Sequence, residues 1–73
     1  MTTTPPAPVP VLSPRMRDVL DALARGLTVR ETARELRLGQ TAVRGHRGRI
    51  YRRLRAADRH DALTKARALG LLP

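Results

Sequence analysis

Apolar residues recur at three- and four-residue steps in four successive stretches of this chain. Leu12, Met16, Val19, Leu20, Leu23 and Leu27 make the first series, the spacing of one helix face. Ser13 followed by Pro14 sets an N-cap and a first-turn proline at its start, and Gly26 supplies a terminating glycine. Thr28 is the next N-cap, and Glu31 three residues later completes a capping box. Val29, Ala33 and Leu36 mark the buried side of a short second helix, which breaks at Leu36-Arg37-Leu38-Gly39. A third helix is expected from about Gln40 to Arg55, with Val43, Ile50 and Leu54 on one stripe. Asp58 caps a fourth, which carries Ala62, Leu63, Ala66 and Leu69 and ends at Gly70 and Pro73. No segment alternates with period two, so the expected fold class is all-α: four short helices with tight connections.

Ahead of these helices, Thr2, Thr3, Thr4, Pro5, Pro6, Pro8 and Pro10 exclude a helix or a paired strand. Residues 1–11 are therefore expected to be a disordered or extended tail, and residues 12–73 the domain. A chain of 73 residues leaves room for one such domain, and a free-standing one is expected. A domain this small buries only about 60% of its unfolded surface. Tyr51 is the only aromatic residue and there is no cysteine, so aliphatic packing carries the core without a disulfide or a thiolate metal site. Met1 to Pro10 has no charged region leading into an apolar stretch, and no apolar run approaches the roughly 20 residues of a membrane span. A cytoplasmic, nucleoid-associated protein is the expectation.

Charge sharpens the reading. Fifteen Lys and Arg stand against six Asp and Glu, a net +9, which points to a polyanionic partner. Fourteen of the fifteen are Arg, a bias that a GC-rich genome also produces. The placement is more informative than the bias. Residues 12–35 carry five arginines and four acids, whereas residues 36–57 carry seven arginines (37, 44, 47, 49, 52, 53 and 55) and no acid.

Two short helices joined by a tight turn, the second loaded with cations, make the helix-turn-helix arrangement. The first helix crosses the DNA backbone and the second enters the major groove. Ala33 is small enough for the two helices to approach, and Leu36, Leu38 and Val43 fill the wedge between them. On the third helix, Thr41, Arg44, Gly45, Gly48, Arg52 and Arg55 lie opposite the apolar stripe. Arginine there can fork onto guanine or phosphate. Each interior glycine costs about 1 kcal/mol relative to alanine; close approach of the helix backbone to DNA and drift on a tolerant surface both account for Gly45 and Gly48. His46 and His60 have no cysteine nearby, so no metal is expected. His46 is expected at the edge of the core, able to donate to a phosphate. Tyr51 is expected to be a partly buried packing residue with its hydroxyl on the DNA side. No catalytic triad or phosphate loop is present, and no cofactor or enzymatic activity is expected.

The stretch from Leu12 to Leu72 resembles the LuxR-type (GerE-like) DNA-binding domain of bacterial transcription regulators. The segments that carry the resemblance are LSPRMRDVLDALARGLTVRETARELRL, TAVRGHRGRIYRRL and DALTKARALGLL. The resemblance implies a four-helix fold with a recognition third helix and a dimer contact on the fourth. It matches Val43, Arg44 and His46 to recurring recognition-helix residues, Arg44 to a base-contacting position, and Thr28 and Arg30 to positions near phosphates. Gly45 and Gly48 match positions that often carry contacting side chains. The chain departs from the family pattern at Met16, where an acid is usual, and at Thr32, where a large aliphatic is usual. It also departs at Arg37 and Arg55, where glycine is frequent, and at Ala42, where a hydroxyl residue is.

The combined expectation is sequence-specific binding of double-stranded DNA for transcription control. Thr41, Arg44, Gly45 and Gly48 face the bases; Thr28, Arg30, His46, Arg47, Arg49, Arg52 and Arg55 face the backbone. Ala62, Leu63, Ala66, Leu69 and Leu72 are expected to form a weak homodimer contact, with Leu63, Ala66 and Leu69 on the inner side of the fourth helix. The rivals are a sigma-factor-like promoter-reading domain and a helical module that binds a larger protein. The near-absence of aromatic residues weakens general RNA binding.

Overall fold

The structure is a computed structural model that describes residues 10–73. Most of the tail expected over residues 1–11 lies outside the described residues; Pro10 and Val11 belong to no helix. Four helices follow: α1 (Pro14–Ala24), α2 (Val29–Leu36), α3 (Gln40–Leu54) and α4 (Arg59–Ala68). There is no strand among the described residues.

The starts of three helices are set by the side chains that the sequence marks. Ser13 accepts from the Met16 N–H at 3.2 Å, and Asp58 accepts from the Asp61 N–H at 2.8 Å. Thr28 makes a reciprocal box: its hydroxyl oxygen accepts from the Glu31 N–H at 3.0 Å, while its own N–H donates to the Glu31 carboxylate at 2.9 Å. Each cap satisfies donors that a helix start leaves open. Only α3 begins without a side-chain cap, at Gly39.

All four helices end the same way. A residue with positive φ follows each one: Gly26, Arg37, Arg55 and Gly70. The next N–H then returns to a carbonyl five residues back: Leu27 to Ala22 at 3.0 Å, and Leu38 to Ala33, Ala56 to Tyr51 and Leu71 to Ala66 each at 2.9 Å. This is the Schellman ending, which tucks an apolar residue back against the helix. It explains why Leu27, Leu38, Ala56 and Leu71 are half-buried although they lie in turns.

The core joins the first, third and fourth helices. Leu12, Met16, Val19 and Leu20 meet Ile50 and Leu54 of α3 and Ala62 and Ala66 of α4. Met16, where the family pattern favours an acid, is buried in that cluster. In α2 the buried residues are Thr32 and Ala33, while Val29 and Leu36 are half-buried rather than enclosed. Thr32 is accommodated because its hydroxyl donates to the Thr28 carbonyl at 2.8 Å, so no polar group is left open.

The inner side of α4 differs from the expected one. Ala62 and Ala66 are fully buried, whereas Leu69 is 38% exposed. The two alanines, one turn apart, let α4 lie close to α1 and α3. The chain reverses at Gly70, and Leu71 and Leu72, not Leu69, close the end of the core. Ala62 and Ala66, expected to touch a second copy, are thus consumed by the chain's own core. Of the five residues expected at that contact, Leu63, Leu69 and Leu72 retain exposed surface.

Candidate nucleic-acid interface

The turn between α2 and α3 is three residues long, Arg37 to Gly39, and fixes how the two helices cross. Val43 is fully buried, and Leu36 and Leu38 are half-buried. Ala33, 7% exposed, leaves room for the close approach. With α3 anchored by Val43, Ile50 and Leu54, the opposite side of its 3.6-residue turn faces solvent. Thr41, Arg44, Gly45, Arg49 and Arg52 are exposed there, and Arg55 is exposed just past the last turn. Thr28 and Arg30 are exposed at the start of α2. His46, Arg47 and Gly48 are half-buried on the flanks.

Acids and cations are sorted over the molecule. Arg25 bridges α1 and α2: its guanidinium pairs with Glu35 through two N–H groups and with Asp21 at 3.0 Å. The Glu35 carboxyl is held below its ordinary range by hydrogen bonding to Arg25, and the Arg25 guanidinium is pushed further up. Arg15 pairs with Asp18 at 3.7 Å and Lys65 with Asp61 at 3.0 Å. Among the described residues, none of the seven arginines from Arg37 to Arg55 pairs with a carboxylate. Their charge therefore projects unneutralised from α3 and its ends, the electrostatic footprint of a polyanion site.

Two arginines of α3 have partners within the helix. Arg44 donates to the Gln40 amide oxygen and Arg47 to the Tyr51 hydroxyl oxygen, each at 3.4 Å. Arg53 donates to the Val11 carbonyl, which ties the start of the domain to α3. The Nδ1 atom of His46 is buried without a partner, which leaves Nε2 as the ring atom for a contact outside the chain. A Cβ built on Gly45 meets nothing within 4 Å, and one on Gly48 meets only the end of the Arg52 side chain at 3.7 Å. Neither glycine is required by packing within the chain.

Sequence reasoning missed one feature. Arg47 sits on the apolar stripe, four residues after Val43 and three before Ile50, and is half-buried. Together with Tyr51, Arg44, Gly48 and Val29 of α2 it lines an open cleft of about 330 Å³. A cation at a core-stripe position, spaced i, i+4 from the only tyrosine, was the available signal. Among the described residues no three of His, Cys, Asp or Glu gather as a metal site needs.

Residues 10–66 match the family model of the bacterial regulatory proteins of the luxR family, GerE. The chain belongs to the LuxR family. Over 59 residues it is 41% identical to the probable HTH-type transcriptional regulator GfsR of Streptomyces halstedii, covering 81% of this chain and 24% of that protein. Over 67 residues it is 40% identical to the probable transcriptional regulatory protein NarL of Mycobacterium tuberculosis, covering 90% of this chain and 31% of that one. The HTH-type transcriptional activator RamA of Corynebacterium glutamicum is 39% identical over 62 residues, covering 85% of the chain and 22% of its own length. The LuxR-family chain thus spans between about a fifth and a third of the length of these relatives.

Proposed function

We propose that this LuxR-family chain binds double-stranded DNA with sequence preference and acts in transcription regulation in the cytoplasm. The observation that carries the reading is the unneutralised arginine surface of α3, set on a helix-turn-helix whose two acids, Glu31 and Glu35, are engaged by the Thr28 N–H and by Arg25. Helix α3 enters the major groove. Arg44, exposed near its N-terminal end, reads a base edge, and Thr41 and Gly45 lie against the groove floor. Arg49, Arg52 and Arg55 meet phosphates on either side, and Thr28 and Arg30 bring α2 to the backbone. His46 donates from Nε2.

Two copies bind together through α4, with Leu63, Leu69 and Leu72 meeting their counterparts across a two-fold axis. The contact is small and strengthens on DNA, so half-sites recur about one helical turn apart. Selection from random duplexes tests the reading. Recovery of a near-palindromic site supports it; recovery of no preferred sequence leaves a protein-binding module. Sedimentation with the selected site, on wild type and Leu69→Glu, tests the dimer. One copy per site, unchanged by the substitution, removes it.

A further inference from the structure

The cleft between α2 and α3 holds the one half-buried arginine of the α3 cluster. Arg49, Arg52, Arg53 and Arg55 are exposed, whereas Arg47 and Tyr51 are both half-buried and joined at 3.4 Å. In that contact the guanidinium donates and the phenol oxygen accepts. The hydroxyl proton of Tyr51 is thereby turned away from Arg47, and the other guanidinium N–H groups stay open. Arg44 also lines the cleft. Gly48, on its wall, adds no side chain that would close the mouth. No carboxylate lines it. A half-buried arginine and an outward-turned hydroxyl beside an open space of about 330 Å³ suit a tetrahedral oxyanion with several acceptor oxygens.

We infer that Arg47 and Tyr51 form a seat for a single phosphate of the DNA backbone, with Tyr51 orienting and Arg47 carrying the charge. The inference rests on the DNA-binding reading and deepens it: Arg47 and Tyr51 set the register of α3 in the groove rather than adding to a diffuse cationic surface. It also gives Gly48 a place at the phosphate rather than at a base.

The test uses the full chain and a labelled mixed-sequence duplex two helical turns long, with affinity followed against salt. Arg47→Met keeps the packing stem and is expected to weaken binding to every sequence by about tenfold, the loss of a hydrogen bond to a charged group. The slope of log K against log salt becomes shallower by about 0.9, one phosphate. Tyr51→Phe keeps the ring in the core, so folding is retained, and gives a smaller uniform loss. The double variant binds no more weakly than Arg47→Met alone, because the two act on one phosphate. Additive losses, a loss confined to some sequences, or wild-type slope in Arg47→Met overturn the seat while leaving DNA binding intact. A wild type whose binding ignores salt overturns the DNA reading itself. Inorganic phosphate, followed by the fluorescence of Tyr51, the only aromatic residue, is expected to act at millimolar concentration or above; a micromolar response assigns the seat to a free small anion and overturns the inference.

Discussion

Arg37 and Arg55 hold the same left-handed backbone at the same point of consecutive helices, with φ 57°, ψ 46° and φ 52°, ψ 43°. A side chain other than glycine in this region is held there at a cost of about 1 kcal/mol or more. Both arginines place a cation at a helix C-terminus, where the dipole favours it. Arg37 opens the turn of the helix-turn-helix pair and Arg55 follows its end. The geometry is thus bought partly by charge placement. Arg37→Gly and Arg55→Gly are each expected to raise stability by about 0.5–1 kcal/mol in urea unfolding. Arg55→Gly is expected to lower DNA affinity at the same time, so the two readouts move in opposite directions.

Gly45 gives a second separable pair of effects. Its Cβ position is open space on an exposed helix face. Gly45→Ala is expected to stabilise the fold by about 0.5–1 kcal/mol, the cost of glycine within a helix. If the α3 backbone approaches the groove floor there, the same methyl weakens DNA binding. Unchanged or improved affinity would assign Gly45 to drift.

Acid weakens the fold through three carboxyls. Glu31 is held below the ordinary carboxylate range by the Thr28 N–H, Glu35 by the Arg25 side chain, and Asp61 by the Ala57 N–H and then by Lys65. A carboxyl depressed in the folded state contributes its full stabilisation above the unfolded value of about 4, and loses it as pH falls through the folded value. The melting temperature is therefore expected to be level near neutrality and to fall below about pH 4. Thr28→Ala, which removes half of the capping box, is expected to cost about 1 kcal/mol.

The helices were legible because their signals are local. Ser13, Thr28 and Asp58 cap helices in the structure as their positions in the sequence imply, and Val43, Ile50 and Leu54 are buried as their spacing implies. Periodicity failed at α4, because Leu69 lies on the correct stripe but past the last helical residue, Ala68, immediately before the chain reverses at Gly70. A wheel carries no information about where a core ends. The charge of α3 was legible from composition along the chain. The Arg47–Tyr51 cleft was not, because its second wall is Val29, eighteen residues earlier.

Arg44 and Arg52 are expected to divide the work of recognition. Arg44 stands near the start of α3 with only Gln40 as a partner, and Arg52 stands two turns later on the exposed face. On a selected site, Arg44→Ala is expected to cost about 1–3 kcal/mol and to relax preference at one base pair. Arg52→Ala is expected to weaken all sequences alike. A uniform loss from Arg44→Ala, with preference intact, reassigns it to the backbone.

The salt dependence of binding to duplex DNA bears most directly on the claim that the unpaired arginines of α3 meet phosphates. Each phosphate neutralised releases counterions, so log K is expected to fall linearly with log salt by about 0.9 per contact. Several contacts from Arg49, Arg52, Arg55 and their neighbours make the fall steep between low and physiological ionic strength. An affinity that stays level over that range would contradict the account.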